Sequence, residues 1–394
     1  MSNIYKTLAG AVILGAFIGG YFWYRSAPRE VVVVNQGTGE TLRLTRKEEK
    51  TTVTIVSVGD IFLHDTNIAA AYNATTKTYN FDSVFSAVSD YFSEADLATA
   101  WLGGVLSTTG PYTGYPLFTS PSALAETLQS IGIDVVFRTN HTMDAGTKGL
   151  SMTTQILEQN NIAQVAAADT EEKSQKIFIY QKDNLKVAYL GYTYGMNGLP
   201  IPKPWMVNLI DHEKIKKDIV RAKQQADFVV VALHFGNEYE RLPNAWQKET
   251  VQKIADAGAD MIIGSHVHVI QPVDVVTSAD GRKVYVAYGL GNFYCDQRTR
   301  YTDAGVMLQY VIEKTGNTTE LKDISFIPTM ITRYKVNGRT TFQVLPAKKY
   351  IARYEQGQAS FLSEANVALL RQTYQDTIQH LSNPAINFME SDEK

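Results

Sequence analysis

The stretch from Met261 to Pro272 reads MIIGSHVHVIQP and places two histidines, His266 and His268, directly after a short apolar run. The whole chain of 394 residues has only seven histidines. Residues two apart in an extended segment point to the same side, so both imidazoles are expected to face one site. Imidazole is the commonest nitrogen ligand of metals and also acts as a general acid or base. The alternative is a strand end that carries two hydrogen-bonded polar side chains.

Other apolar runs of the chain are also followed at once by polar side chains. These side chains are Asp60, Asn140 with His141, His234 and Asn292. In open α/β sheets the functional site lies at the carboxyl ends of the strands. The repeated placement therefore favours a functional site over a chance distribution. Mixed oxygen and nitrogen ligands favour zinc, manganese or iron over calcium or magnesium. Neutral histidines also bind anions through hydrogen bonds alone, which leaves a metal-free site open.

Strand-like and helix-like segments alternate along the chain, which predicts a layered α/β fold. The apolar runs are nearly continuous, as in strands that are buried on both faces. Helices are predicted at 121–130, 147–159, 213–225 and 243–257, the first of them opened by Pro121. A last helix is predicted over 363–381, where apolar side chains recur at spacings of three and four. We expect its apolar face to dock on its own domain and not on a partner.

The N-terminal region predicts a membrane anchor. Leu8–Tyr24 carries no charge and ends in aromatic residues, and no cleavage site of small residues follows it. The predicted organisation is an anchor at 1–25, a polar tether at 26–51, a main domain at 52–330 and a C-terminal extension at 331–394. The single cysteine, Cys295, excludes an internal disulfide, and the net charge of −3 gives no reason to expect nucleic acid as a partner.

Five ordered motifs carry a resemblance to a known family. They read VGDIFL (58–63), TNHTMDAGTKGL (139–150), LHFGNEY (233–239), AGADMIIGSHVHVIQP (257–272) and GLGNFYCDQ (289–297). In these motifs the chain resembles the CapA proteins of poly-γ-glutamate capsule synthesis, a branch of the calcineurin-like metallophosphoesterase fold. The resemblance implies a single-pass membrane protein whose main domain lies outside the cytoplasmic membrane. It also implies capsule synthetase membrane subunits and an anionic polymer such as poly-γ-glutamate as partners.

The resemblance further implies roles for individual residues. Asp60 and His268 would serve one metal, and Asn140, His234 and His266 would serve the other. His141 would lie beside the phosphoryl position as an acid. Glu238, Asn292 and Asp296 lie in the same motifs without an assigned role. If His234 and His266 share a metal, their rings must lie within about 10 Å of each other, because zinc–imidazole bonds are about 2 Å long.

The sequence departs from the family pattern at four positions. Trp101 and Gly103 stand where an Asn-x-Glu is usual, so the carboxylate that would bridge two metals is missing. Phe62 replaces a histidine, with His64 two residues further on, and Thr139 replaces an asparagine. The departures indicate either one divalent transition metal (manganese, zinc or iron) at Asn140, His234 and His266, or no metal.

Three functions follow from these observations. The first is a membrane-anchored subunit of a poly-γ-glutamate synthesis or export complex. The second is a metal-dependent phosphoester hydrolase, and the third is a non-catalytic binding module with a relic site. Whether the protein is an enzyme is left open, and weak or absent phosphodiesterase activity is predicted.

Overall fold

The computed structural model describes residues 30–34, 41–45 and 49–391, with main-chain geometry only for the first two segments. The predicted anchor at Leu8–Tyr24 and most of the predicted tether lie outside the described residues. Among those that are described, no helix has the length and apolar character needed to span a bilayer. The chain divides into two units, 1–49 and 50–394. In the first unit, two short strands pair as an antiparallel ribbon, and the second unit contains the rest of the fold.

The strands are as follows, in chain order: β1 (Glu30–Val34), β2 (Thr41–Thr45), β3 (Lys50–Ile61), β4 (Tyr72–Asn73), β5 (Thr78–Tyr79), β6 (Leu97–Leu102), β7 (Val105–Ser107), β8 (Thr119–Pro121), β9 (Val135–Arg138), β10 (Ala163–Val165), β11 (Phe178–Lys182), β12 (Leu185–Thr193), β13 (Phe228–His234), β14 (Met261–Ser265), β15 (Ile270–Thr277), β16 (Lys283–Leu290), β17 (Asn292–Tyr294), β18 (Ala304–Thr315), β19 (Thr318–Val336), β20 (Arg339–Pro346) and β21 (Met389–Glu390). The helices are α1 (Asp65–Ala71), α2 (Asp82–Phe85), α3 (Ser89–Ser93), α4 (Ala123–Ser130), α5 (Gly146–Gln159), α6 (Glu171–Ser174), α7 (His212–Lys223), α8 (Ala245–Ala257), α9 (Ala347–Glu355) and α10 (Glu364–Leu381), with a 3-10 turn at Pro384–Ile386.

Two large sheets form the body of the protein. The first has the order β10-β9-β6-β3-β18-β19-β20, with β17 added beside β3 and β21 beside β19. The second has the order β11-β12-β13-β14-β16-β15. In the first sheet β10, β9, β6 and β3 run parallel, and in the second β12, β13, β14 and β16 run parallel. Parallel strands therefore occupy part of each sheet, and antiparallel strands complete both.

The alternating side chains of β13 show how the layers are built. Val230 and Ala232 pack with Trp101 and Val135 of the first sheet, in a core between the two sheets. Val229, Val231 and Leu233 point the other way, into a core shared with the outer helices α7 and α8. Because successive side chains of a strand alternate between faces, His234 continues on the side of Val230 and Ala232, between the sheets.

The predicted layered α/β fold is confirmed, with helices outside and two sheets between them. The first sheet has its own outer core, in which Leu124 and Leu128 of α4 pack with Val56 and Val136. Four predicted helices are present, although the first starts at Ala123 because Pro121 ends β8.

The C-terminal part of the chain completes the first sheet. The boundary predicted between 330 and 331 falls inside β19, which continues to Val336 and pairs with β20. Helix α10 buries Val367 and Leu370 against Met330 and Leu345, so it docks on its own domain as predicted. The main domain therefore extends through this helix.

Candidate functional site

The carboxyl ends of the parallel strands of both sheets meet at one edge of the body. Asp60 ends β3, Asn140 and His141 follow β9, His234 ends β13, and His266 and His268 follow β14. A cavity of about 70 Å³ opens here, lined by all of these residues except His266, and we call it the histidine pocket. Its lining includes Asp60, Asn140, His141, His234, His268 and Gln297. The His234 and His266 ring centroids lie 4.8 Å apart, well inside the limit set by shared metal ligation.

Asp60 connects the two sheets at the base of the pocket. Its Oδ2 accepts hydrogen bonds from the Ser265 hydroxyl (2.8 Å) and the His266 backbone N–H (3.2 Å). Its Oδ1 lies 3.2 Å from His234 Nε2. Burial opposes ionisation of this carboxyl, but the charge interaction and hydrogen bond with His234 lower its pKa to about 2. Asp60 is therefore ionised, and its oxygens hold β14 and the His234 ring in place.

A glycine precedes this aspartate because the main chain is tightly packed at position 59. A Cβ at position 59 would collide with the carbonyl oxygen of Gly291. That oxygen accepts the Asp60 backbone N–H at 3.1 Å. The close approach brings the start of β17, with Asn292, alongside Asp60. The glycine in VGD is thus required by the packing of two main-chain segments at the site.

The two histidines after β14 do not continue the strand. The strand ends at Ser265, and His266 and His268 have φ angles of +103° and +60°, in the left-handed region. The expectation of an extended His-x-His was therefore wrong, because the chain turns at both histidines. Left-handed conformations of non-glycine residues cost free energy and are concentrated at functional sites. Despite the turn, both rings reach the same cluster, with centroids 6.1 Å apart.

The buried imidazoles are held in the neutral state. Burial, followed by the nearby His234 and His268, lowers the pKa of His266 to about 2. Burial also lowers the pKa of His234, against the opposing effect of Asp60. If His234 donates from Nε2 to Asp60, its Nδ1 is left as a lone pair. Nδ1 of His234 and Nδ1 of His266 are both buried without a hydrogen-bond partner. A cation would satisfy these two lone pairs, since neutral imidazole is a metal ligand.

A hydrogen-bonded chain runs from Asn140 to Asp144 along one side of the pocket. The Asn140 amide nitrogen donates to Tyr194 Oη (3.1 Å) and Asn197 Oδ1 (3.0 Å). The Asn197 amide nitrogen lies 3.2 Å from His141 Nε2, and His141 Nδ1 lies 2.8 Å from Asp144 Oδ2. Because the amide nitrogen of Asn140 is used in this way, its oxygen remains as the atom that can face a cation.

Sequence reasoning missed three members of this chain. Asp144 could have been found from its spacing, three residues after His141 in NHTMD. Tyr194 and Asn197 follow the end of β12, where the strand-end rule also applies. They were overlooked because a phenol and a second amide are weaker signals of a site than histidine or aspartate.

A second wall of the pocket is aromatic, and it joins the first at Phe118, whose ring centroid lies 4.7 Å from that of His141. The Phe62 ring contacts the rings of His64, His268 and Phe118, with centroid distances of 5.3, 5.0 and 5.4 Å. A Cβ added to Gly103 would lie 2.9 Å from the Phe62 Cβ, closer than real Cβ contacts. Phe62 therefore fills the space that a side chain at position 103 would need. The two departures from the family pattern are sterically matched.

His64 and Trp101 do not supply the missing ligands. His64 Nδ1 accepts the Asp296 backbone N–H at 3.1 Å, and its ring packs against Phe62. Trp101 is fully buried between the sheets, with its ring centroid 5.4 Å from that of His234. Its indole N–H has no hydrogen-bond partner, and a cation would not satisfy this donor. The tryptophan thus acts as packing beneath His234.

Two of the residues without an assigned role, Asn292 and Glu238, lie close to His268. Asn292 Oδ1 lies 3.0 Å from His268 Nδ1, so Asn292 orients that ring. Glu238 Oε1 lies 3.9 Å from His268 Nε2. Asp296 lies beside His64 and pairs with Arg298 at 2.5 Å. Asn292 therefore holds one ring nitrogen of His268, and Glu238 lies beyond hydrogen-bonding distance of the other.

The donor chemistry of the pocket fits one cation and not two. The described residues include no group of three His, Cys, Asp or Glu side chains placed to hold a metal ion. Two imidazoles with unsatisfied nitrogens and one amide oxygen, from His234, His266 and Asn140, form a donor set for one ion. A second ion lacks a bridging group, because Gly103 has no side chain and Phe62 occupies the adjoining space. The assignment of these residues as ligands stays a prediction.

The fold and the site define a class of protein: a two-sheet α/β body with a histidine pocket at the carboxyl ends of its parallel strands. The family model described as bacterial capsule synthesis protein PGA_cap matches residues 54–297. The chain belongs to this family, which confirms the resemblance read from its motifs. The matched region contains every residue named above for the histidine pocket.

Two curated relatives are similar to the chain. The PGA biosynthesis protein CapA of Bacillus subtilis (strain 168) is 35% identical over 181 residues, which are 45% of this chain and 46% of the relative. The capsule biosynthesis protein CapA of Bacillus anthracis is 30% identical over 285 residues, or 69% of this chain and 66% of the relative. The chain thus spans about half the length of the first relative and about two thirds of the second.

Solved structures with a similar arrangement are more distant. The NAD nucleotidase (NadN) of Haemophilus influenzae gives a TM-score of 0.48 at 13% identity and covers 85% of this chain and 57% of its own. The calcineurin-like phosphoesterase YfkN from Bacillus subtilis gives a TM-score of 0.41 at 14% identity, with 84% and 99% covered. Family membership rests on the sequence matches alone.

Proposed function

We propose that the protein is a membrane-anchored subunit of an assembly that makes or exports an anionic capsule polymer, with poly-γ-glutamate as the polymer. The observation that carries the proposal is the family match over 54–297, which includes the whole histidine pocket. The names of the two relatives point to capsule biosynthesis, and one of them specifically to PGA. The partners would be the synthetase subunits in the same membrane.

The proposed task of the histidine pocket is to hold an anionic group of the polymer. His234, His266 and Asn140 would hold one divalent transition metal, which would supply positive charge for that group. Asp60 orients His234 through the 3.2 Å contact and fixes the His266 backbone. Tyr194 and Asn197 hold the Asn140 amide, so that its oxygen is presented to the site. In this proposal the chain binds and guides the polymer without hydrolysing a phosphoester.

Steric crowding at position 103 disfavours a two-metal hydrolase. Two-metal catalysis needs a group that keeps two ions a few ångströms apart. The position that would supply this group is Gly103, and its Cβ direction is blocked by Phe62 at 2.9 Å. A binding module with a relic site overlaps with the proposed subunit, because a subunit of an assembly need not catalyse a reaction.

One observation favours hydrolysis as a second candidate function. His141 Nδ1 is 2.8 Å from Asp144 Oδ2, and the Asp144 side chain is fully buried. A carboxylate at this distance fixes the tautomer with the proton on Nδ1, so Nε2, which accepts from the Asn197 amide, could exchange a proton with a leaving group once that contact opens. A hydrolase predicts cleavage of a generic phosphodiester by the purified protein with added Mn²⁺, and its loss in His141→Ala. No cleavage above the level of His141→Ala would reject this function.

The main experiment compares metal content and polymer production in the same variants. The full-length protein is purified and analysed for metals, and polymer is measured in cells that carry His234→Ala or a complete deletion. We expect about one transition metal ion per wild-type chain, since one donor set is complete. His234→Ala should lower metal content and reduce polymer less than the deletion does.

His212→Ala is the matched control, because His212 lies outside the pocket and contacts Thr250. It should leave both readouts unchanged. If wild-type protein contains two ions and His234→Ala abolishes polymer as fully as the deletion, the guiding role is replaced by catalysis. If the deletion itself leaves polymer unchanged, the capsule function is wrong.

The proposed topology is a short cytoplasmic N-terminus, one span at Leu8–Tyr24 and an external body. Its support is the apolar segment together with the family of bacterial capsule synthesis proteins. Protease added to intact spheroplasts should digest the body, and a cytoplasmic marker protein should survive. Protection of the body together with the marker would reverse the orientation.

A further inference from the structure

A second cavity, of about 240 Å³, lies beside the histidine pocket, and we call it the arginine cavity. It is lined by Arg241, Arg298 and Arg300, by Tyr301, and by one face of α10 that includes Asp376. Three arginines and two aspartates, Asp303 and Asp376, contribute to the lining, and a third aspartate, Asp296, pairs with Arg298 from outside it. Ile270 and Leu369 add an apolar part to the wall.

Arg241 is the arginine with unused binding capacity. Arg300 makes a two-pronged pair with Asp376 at 2.9 and 3.2 Å, and Arg298 pairs with Asp296 at 2.5 Å. Among the described residues, Arg241 forms no ion pair, and its guanidinium reaches only the Asp376 backbone oxygen at 3.5 Å. Its Nε is buried without a hydrogen-bond partner. A planar guanidinium with free donors is suited to a carboxylate, which it binds in a two-pronged manner.

Tyr301 holds two of the arginines in place. The Arg241 guanidinium carbon lies 4.0 Å from the centre of the Tyr301 ring, and the Arg300 carbon lies 4.9 Å from it. Tyr301 itself has a φ angle of +79°, a left-handed conformation that bulky residues rarely adopt. Strained residues of this kind are retained where the surrounding structure needs them, often at binding sites. Stacking on one ring fixes the guanidinium orientation before any ligand arrives.

Three segments of the chain contribute to both cavities. Tyr239 and Gln297 line the histidine pocket, while their near neighbours Arg241 and Arg298 line the arginine cavity. The third segment is 268–270, in which His268 lines the histidine pocket and Ile270 lines the arginine cavity. Gln297 Nε2 also lies 3.4 Å from Tyr239 Oη, which joins two of the segments at the boundary. A ligand with several anionic groups along a flexible chain can therefore reach both cavities.

We infer that the arginine cavity is a second anion subsite, in which Arg241 binds a carboxylate of the same polymer that meets the histidine pocket. This inference rests on the proposed function for the polymer and extends it by a new site. A carboxylate polymer with short aliphatic links matches the cavity, because guanidinium groups and apolar side chains line it together. A free phosphate would use the same guanidinium chemistry but not the apolar wall.

The test measures binding of a fluorescein-labelled γ-glutamate decamer to the full-length protein by fluorescence anisotropy. Arg241→Gln should weaken binding by about tenfold, the usual effect of losing one charge-assisted hydrogen-bonded pair. Arg371→Gln is the matched control, because Arg371 lies on α10 in an exposed pair with Glu355 at 2.6 Å. It should change binding by less than about twofold, as exposed pairs contribute little. Arg241→Lys keeps the charge and should bind more tightly than Arg241→Gln, which separates recognition from loss of folding.

Each outcome has a defined meaning. If Arg241→Gln and wild type bind the decamer equally, the subsite is rejected and polymer binding at the histidine pocket survives. If the wild type does not bind the decamer, the carboxylate polymer is rejected for both sites. If inorganic phosphate alone binds in an Arg241-dependent way and the decamer does not, the carboxylate assignment is overturned. In a protein that already carries His234→Ala, Arg241→Gln should weaken decamer binding by the same factor as in the wild type, because the two cavities bind separate groups.

Discussion

The two walls of the histidine pocket are built from opposite kinds of side chain. On one side, the Nδ1 atoms of His234 and His266 have no hydrogen-bond partner, and the Asn140 amide is held by a hydrogen bond to Tyr194. On the other, Phe62 and Phe118 form an aromatic surface against His64, and Gly103 has no side chain. The first wall therefore has nitrogen and oxygen atoms that could bind a ligand, whereas the second is closed by the packing of aromatic rings.

The largest effect is expected from placing a carboxylate back on the aromatic wall. Gly103→Glu introduces a Cβ 2.9 Å from the Phe62 Cβ and a charge beside buried rings. Overpacking and an unpaired buried charge together should cost about 4 kcal/mol in the free energy of unfolding. Gly195→Glu is the control, because no atom lies within 4 Å of its Cβ position. Denaturant unfolding checks both. A Gly103→Glu protein as stable as the wild type would show that the aromatic wall has room for a side chain at position 103.

Removing the ring from the same wall gives the next largest effect. Phe62 is 5% exposed, and Phe62→Ala should reduce the free energy of unfolding by about 3 kcal/mol, as for other buried phenylalanines. Phe361→Ala, at an exposed position, should cost much less. Metal content should stay near the wild-type value, since Phe62 contributes no ligand. A fall in metal content with little loss of stability would reverse the roles of the two walls.

The combination of the two changes tests whether they are coupled. In the double variant Phe62→Ala, Gly103→Glu, the removed ring leaves room for the new side chain. The loss of stability should be smaller than the sum of the single losses by about 2 kcal/mol, within the range for residues in contact. The double-mutant cycle measures this coupling by denaturant unfolding. Additive losses would mean that Phe62 and Gly103 do not share space. Binding of a second metal ion would show that the remaining ligands are correctly placed.

The smallest effect is expected at the donor wall, from a change that leaves every proposed ligand present. Tyr194→Phe removes the hydroxyl that accepts from Asn140 and donates to Asn197 at 2.7 Å. Metal affinity should fall by about tenfold, as for other groups that orient ligands. Tyr115→Phe, on a 79% exposed residue of the pocket rim, is the control. Titration of metal-free protein with Mn²⁺ or Zn²⁺ gives the two affinities. Equal affinities would mean that Asn140 needs no support.

The sequence predicted that these side chains come together, because the strand-end rule depends only on local sequence, and their role as a functional site stays a prediction. Asp60, His234 and His266 each follow an apolar run, and the end of such a run can be recognised in a single sequence. The division of those strands between two sheets was not predictable in this way. The runs in β3 and β13 both lead into a polar residue of the pocket, and only packing decides which sheet each joins. The contact between Phe62 and Gly103 joins distant positions whose side chains give no periodic signal. The arginine cavity likewise depends on how α10 docks.

The direction of β3 sets how far the histidine pocket lies from the start of that strand. The strand starts at Lys50, which pairs with Glu313 at 2.7 Å, and ends at Asp60 and Ile61 beside the histidine pocket. A strand rises about 3.3 Å per residue, so Lys50 and Asp60 are separated by roughly 33 Å along the sheet. The pocket and the first residue of this strand therefore lie at opposite ends of the sheet, about the diameter of a small domain apart.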